Sequence, residues 1–256
     1  MNFEYKDTLR TLDDMVKASL TLNHKTILRL FGTVGAGKGT ISNRLSDFFD
    51  IPAVDSGAIW RSVTYGYLQD PSLDISSENN SQLFKRISMK PEGNSFVIYF
   101  DNKLLTNDDL RNKSVDSKVS AVAEYRDTYD EFLSDFLDEY NESVVLDGRA
   151  GETRYIKHAR EVGYTIIKIY LFSSIEAAAH RRALEYQKRN PNIEFESALQ
   201  EISDNIQWRD ETDYNRAKEQ DHMGWVDDAT FALDTTDLTI DEVFETVLWR
   251  IYTIQN

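Results

Sequence analysis

Residues 26–40 read TILRLFGTVGAGKGT, and this stretch decides the fold. Thr26 to Phe31 is a short strand-like run that ends directly in a glycine-rich turn, and Thr40 to Phe49 then reads as a helix. A strand, a glycine-rich loop and a helix in that order open a phosphate-binding α/β fold. Glycines let successive backbone N–H groups turn inward around phosphate oxygens. The helix that follows adds its positive N-terminal end. Lys38 is placed to reach the β- and γ-phosphates of a nucleotide and to stabilise charge that develops during transfer. Gly32, Gly35, Ala36, Gly37, Lys38, Gly39 and Thr40 are therefore the candidate nucleotide-phosphate residues. The competing reading, a tight turn with a solvated lysine, does not explain why strand and helix flank the loop. The general form of this loop has Ser or Thr directly after the lysine, to bind magnesium; here Gly39 stands there and Thr40 follows.

Working outward, Val144–Leu146, Thr165–Phe172 and Thr230–Leu233 are further buried-strand candidates, with Ile51–Val54 a weaker one. Amphipathic helical stretches separate them, which predicts an α/β fold with a parallel sheet and helices on both faces. Ile87 to Arg111 differs: Phe96–Phe100 is a β-rich run, Asp101-Asn102 is a turn signal, and Lys103–Leu105 resumes, so a small antiparallel insert is expected within about 84–116. Residues 1–25 carry Leu9, Leu12, Met15, Val16 and Leu20 at helical spacing and read as a helical extension packed on the main domain, 26–256. Gln187–Ile193, with Lys188, Arg189, Asn190 and Pro191, reads as a mobile loop between helices, inside a lid expected over about 183–208.

Composition bounds the function. A chain of 256 residues with 41% hydrophobic content supports one large α/β domain with an insert, not three domains. There is no cysteine, which excludes disulfides, thiol catalysis and thiolate metal sites. No apolar run approaches ~18 residues, and Met1–Leu20 has no signal-peptide core, so a cytoplasmic protein without a membrane span is expected. The net charge of −15 argues against a nucleic acid polymer as partner but not against a small phosphorylated ligand, which needs only a few arginines in one cleft. The four histidines show no metal-ligand spacing.

Asp55-Ser56-Gly57-Ala58-Ile59-Trp60-Arg61 follows the first helix. Ser56 can start a helix and offer its hydroxyl and nearby N–H groups to an anion. Arg61 lies five residues on, and its planar fork suits a phosphate. After Ile206, Arg209, Asp213 and Arg216 fall at i, i+4 and i+7 and share one helical face. Arg182, Tyr186 and Arg189 share another and are placed to close over nucleotide phosphates. Asp147 ends the strand Val144–Leu146, where a carboxylate points into a cleft and can hold a magnesium-bound water. Each feature alone has a bland reading: a helix cap, a solvated charged face, a capping aspartate.

Taken together they do not. The phosphate loop, the 55–61 segment, VVLDGR at 144–149, Ala179-His180-Arg181-Arg182, RDETDYNR at 209–216 and LDTTDLT at 233–239 stand in one order. In that order, from Thr26 to the C-terminus, the chain resembles the bacterial cytidylate kinases, which are P-loop nucleoside monophosphate kinases. The resemblance implies a P-loop NTPase-type five-stranded parallel sheet with a lid and a monophosphate-binding insert. The activity it implies is transfer of the γ-phosphoryl group of ATP to CMP or dCMP, with Mg²⁺ brought by ATP. It assigns Lys38 to ATP and the transferred group, and Ser56, Arg61 and Arg149 to the acceptor phosphate. Arg209 and Asp213 fall to the ribose, Arg216 to a phosphate, and Ser120 to the cytosine ring. Arg182 falls on the nucleotide side, and a monomer is expected.

Two positions depart from the family, and both fall on base recognition. Asp-Gly-Arg-Asp is usual; here Asp147-Gly148-Arg149-Ala150 lacks the second carboxylate. The arginine expected nine residues after Ser120 is Tyr129, with Arg126 three residues upstream as a substitute. The alternatives are a kinase of another nucleoside monophosphate or small molecule on the same scaffold, and a non-catalytic nucleotide-binding module.

Overall fold

The computed structural model describes residues 12–70, 72–73, 77–122, 126–148, 153–189, 194–219 and 229–256. In chain order, α1 (Asp14–Ser19) leads into β1 (Thr26–Gly32), α2 (Lys38–Phe49), β2 (Ala53–Val54), α3 (Ser56–Gln69) and α4 (Ser77–Phe84). Three insert strands follow, β3 (Ile87–Glu92), β4 (Ser95–Phe100) and β5 (Lys103–Leu104), then α5 (Asn107–Leu110), α6 (Lys113–Val122) and α7 (Arg126–Tyr140). The chain ends through β6 (Val144–Asp147), α8 (Arg154–Glu161), β7 (Thr165–Phe172), α9 (Ile175–Arg189), α10 (Phe195–Glu219), β8 (Phe231–Asp234) and α11 (Ile240–Gln255).

Among the described residues all the strands join one sheet, ordered β3-β4-β2-β6-β1-β7-β8, with β5 paired to β4. Five strands, β2, β6, β1, β7 and β8, run parallel, as expected from the apolar runs. The centre is β1, and all seven of its residues are buried. Burial on both faces is why these strands read as continuous apolar runs rather than alternating ones. The insert is antiparallel within itself, but it does not stand apart: Ala53 of β2 pairs with Ser95 of β4, so the insert extends the parallel sheet. Two-residue β2 leaves an edge that β4 covers, which disposes of unpaired backbone groups. The insert turn at Asp101 and Asn102 has φ of 49° and 64°, the left-handed pair that a tight hairpin requires.

The two faces of the sheet carry separate apolar layers. One gathers Ile59, Val63, Leu133, Leu137, Tyr155 and Ile156 from α3, α7 and α8. The other gathers Ile41, Leu45, Val243, Val247 and Ile251 from α2 and α11. The second layer also takes Leu12, Val16 and Leu20 from the N-terminal extension. Leu12 and Leu20 flank α1 on either side, and Val16 lies within it. Met15 does not join them: it is 82% exposed. Leu9 lies outside the described residues. The loop expected at Gln187–Ile193 also starts too early, since α9 continues through Arg189. Nothing before Pro191 breaks a helix, and proline acts on the residue ahead of it. Residues 190–193 lie outside the description.

Candidate active site at the strand ends

One continuous cleft runs along the C-terminal ends of β1 and β6, where open α/β sheets bind ligands. Its floor is the loop from Val34 to Thr40. Gly32 closes β1 just ahead of it, and its carbonyl accepts a 3.0 Å hydrogen bond from the Lys38 ammonium. The Thr33 carbonyl accepts a second, at 2.6 Å. These bonds hold the lysine over the loop. Helix α2 starts at Lys38, two residues before the sequence expectation, because the last loop residues are already helical. A contact that sequence reasoning missed braces the loop from above: the Val34 N–H donates to Asp210 of α10 at 3.0 Å. That bond ties the helix carrying Arg209 to the phosphate loop. Behind the loop, Arg181 donates to the carbonyls of Thr235 and Thr236, so the motifs at 179–182 and 233–239 meet in space.

The other half of the cleft is built around Asp147. Ser56 donates its N–H to the Asp147 carboxylate at 3.1 Å, and its hydroxyl donates to the Asp147 backbone carbonyl. Helix α3 starts at Ser56, as the sequence suggests. Asp55 is the cap, accepting from the Ala58 N–H at 3.0 Å, and Ser56 is the first helical residue and buried. Both residue types cap well, and the side chain nearer the open N–H wins. Arg61 also lines the cleft, with Nη1 donating to the Gly57 carbonyl at 3.2 Å. Arg182, Tyr186 and Arg209 line the same cleft.

Thus Gly35, Ala36, Gly37, Lys38, Gly39, Thr40, Ser56, Arg61, Asp147, Arg182 and Arg209 share one cleft. Arg149 and Ala150 lie outside the described residues, as do the side chains of Ser120, Arg126, Arg189, Asp213 and Arg216. Tyr129 is buried and stacks on Trp60, with ring centroids 4.8 Å apart and planes at 21°. Position 129 therefore gives the cleft an aromatic wall. The residue that sequence reading passed over is Arg29. It sits in the middle of buried β1 at 2% exposure and lines the same cleft. The available signal was a charge inside an otherwise apolar strand, which is rarely buried without a purpose.

Burial pushes the Asp147 carboxyl up to about 6, helped by the negative charge of Asp55 and opposed by the Ser56 N–H and by Lys38 and Arg29. An acid whose folded pKa exceeds its unfolded value binds its proton more tightly when folded. Its stabilising contribution is full below about pH 4 and is lost as pH rises through about 6. Above that, the buried carboxylate opposes folding. Asp147→Asn keeps an oxygen for the Ser56 N–H and removes the charge. It is expected to raise stability at pH 8 by about 1–3 kcal/mol and by much less at pH 4. Urea midpoints at the two pH values check this; an equal loss at both would show that the carboxylate is needed for folding.

A P-loop phosphotransferase is the class that this cleft defines, with the glycine-rich loop, Lys38 and several arginines lining it together. The comparisons with known proteins narrow the class. The Cytidylate kinase family model matches residues 29–253. A cytidylate kinase of Lysinibacillus sphaericus is 30% identical over 223 residues, covering 85% of this chain and 92% of that protein. One of Alkaliphilus oremlandii is 31% identical over 228 residues, covering 85% and 93%. The chain belongs to the cytidylate kinase family.

Proposed function

We propose that the protein transfers the γ-phosphoryl group of ATP to CMP or dCMP, giving ADP and the diphosphate. The observation that carries this is the juxtaposition of the Lys38 loop with Ser56, Arg61, Arg182 and Arg209 around one cleft. Family membership supports the acceptor. An acceptor phosphate oxygen attacks the γ-phosphorus in line and ADP leaves, so no enzyme nucleophile is required. The chain's part is to position two anions, screen their repulsion and exclude water. Lys38 acts on the transferred group, Ser56 and Arg61 with Arg149 on the acceptor phosphate, and Arg182 on the nucleotide side. Arg209 and Asp213 hold the ribose, Arg216 a phosphate and Ser120 the ring.

Magnesium fits as an ion carried by ATP. Among the described residues no three acidic or histidine side chains come together to hold a metal, whereas Asp147 and Thr40 face the loop's cleft. Asp147 would hold a magnesium-bound water, and the ion would neutralise the polyphosphate. The domain reading proposed with this function is an extension at 1–25 and a kinase domain at 26–256, with the insert near 84–116 and the lid near 183–208. Action in the cytoplasm as a monomer is part of the same reading. Among the described residues no helix is long and apolar enough to cross a membrane.

Steady-state ADP release from Mg-ATP with CMP, dCMP, UMP, AMP and GMP in turn tests the acceptor. The highest kcat/KM is expected with CMP or dCMP. A higher value with a purine monophosphate would move the specificity, and none with any of the five would leave a small-molecule kinase or a binding module.

A further inference from the structure

We propose that Arg29 reads the acceptor's pyrimidine ring, supplying from the central strand the guanidinium that α7 lacks at Tyr129. The proposal rests on the cytidylate reading above. Arg29 is the cation in β1, and it is 2% exposed yet lines the cleft. Its Nη1 donates to the Leu146 carbonyl at 3.3 Å, and its Cζ lies 5.6 Å from the centre of the Tyr155 ring. Those contacts carry the guanidinium along the sheet face to the end of β6. There it occupies the space that a side chain at Gly148 would need: a Cβ at that position would lie 2.5 Å from Nη2 and 2.8 Å from Nη1. Tyr129, stacked on Trp60, forms the adjoining wall, and Tyr155 packs edge-on against Tyr129 with centroids 6.0 Å apart. Aromatic walls around a donor fork make a pocket for a flat, polar ring.

The donor pattern selects the ring. A guanidinium offers parallel N–H donors and no acceptor. Cytosine presents O2 and N3 as two neighbouring acceptors, which the fork matches. Uracil presents an N3–H donor between its carbonyls, which opposes the fork. The competing role for Arg29 is a counter-charge to Asp147 alone, and that role is blind to the base.

The test compares wild type with Arg29→Met at saturating Mg-ATP, using CMP, UMP and 3-deaza-CMP, which has C–H in place of N3. In wild type, the 3-deaza substitution is expected to lower kcat/KM about tenfold to a hundredfold, as for loss of one side of a bidentate base contact. In Arg29→Met the same substitution is expected to cost less than about threefold, with the preference for CMP over UMP lowered about tenfold or more and the KM for ATP unchanged. Arg29→Lys keeps the charge without the fork, and is expected to lose the CMP preference as well. If Arg29→Met does not fold, wild type and Arg29→Lys decide. Equal 3-deaza costs in wild type and variant, a wild type indifferent to N3, or an Arg29→Lys enzyme with full CMP preference would overturn the proposal. Absence of turnover with every pyrimidine monophosphate would instead overturn the kinase reading on which it rests.

Discussion

Lys38→Ala is expected to lower kcat for phosphoryl transfer about a thousandfold, because the negative charge that builds on the moving group loses its nearest fixed cation. The lysine is half-buried at the first residue of α2, directly after the glycine-rich loop. Its ammonium rests on the Gly32 and Thr33 carbonyls at 3.0 and 2.6 Å, so it is held at the mouth of the cradle rather than extended into solvent. Removing it leaves those carbonyls open to water. The fold is therefore expected to survive, with stability changed by no more than about 1 kcal/mol. Single-turnover rates with Mg-ATP and CMP, set beside urea midpoints, separate the two effects. A variant that keeps more than about a tenth of wild-type turnover would remove Lys38 from the chemistry.

Gly32→Ala is the largest structural effect expected, a loss of about 3–5 kcal/mol. Gly32 has φ of +135°, a region that side chains rarely enter, and a Cβ there would lie 1.8 Å from the Leu171 carbonyl oxygen. That carbonyl also accepts from the Thr33 N–H at 3.1 Å, so a shift of β7 would break the hydrogen bond that launches the loop. No flexible side chain is available to give way. Gly39→Ala is the control. Gly39 is helical, and a Cβ there meets nothing within 4 Å, so the change is expected to be neutral or to stabilise by up to about 1 kcal/mol. Equal urea midpoints for the two variants would show that the strain at Gly32 is not real.

The phosphate loop was legible in the sequence because its glycines answer local backbone demands that no tertiary contact changes. The parallel strands were legible because burial on both faces leaves continuous apolar runs, and β7 matches its expected bounds, Thr165–Phe172. What sequence left open concerns contacts between distant segments. The joining of β2 to β4 depends on a two-residue strand with no periodicity to read. The cap at Asp55 rather than Ser56 depends on which of two adjacent oxygens reaches the Ala58 N–H. Met15 fits a helical pattern, but α1 is only six residues long, and the extension packs through Leu12, Val16 and Leu20 instead. Asp210 lies beside a charged helical face, and its partner, the Val34 N–H, is distant in sequence. Arg29 is the sharpest case: it is the charge in TILRLF, and its contacts come from β6 and α8, far away in sequence.

The most direct test follows the phosphorus itself. The protein, Mg²⁺, CMP and ATP labelled in the γ-phosphoryl group are mixed and the products separated. The label is expected in CDP, in step with ADP release and dependent on Lys38. Label found as inorganic phosphate at a rate indifferent to CMP, or no loss of label from ATP, would contradict the account.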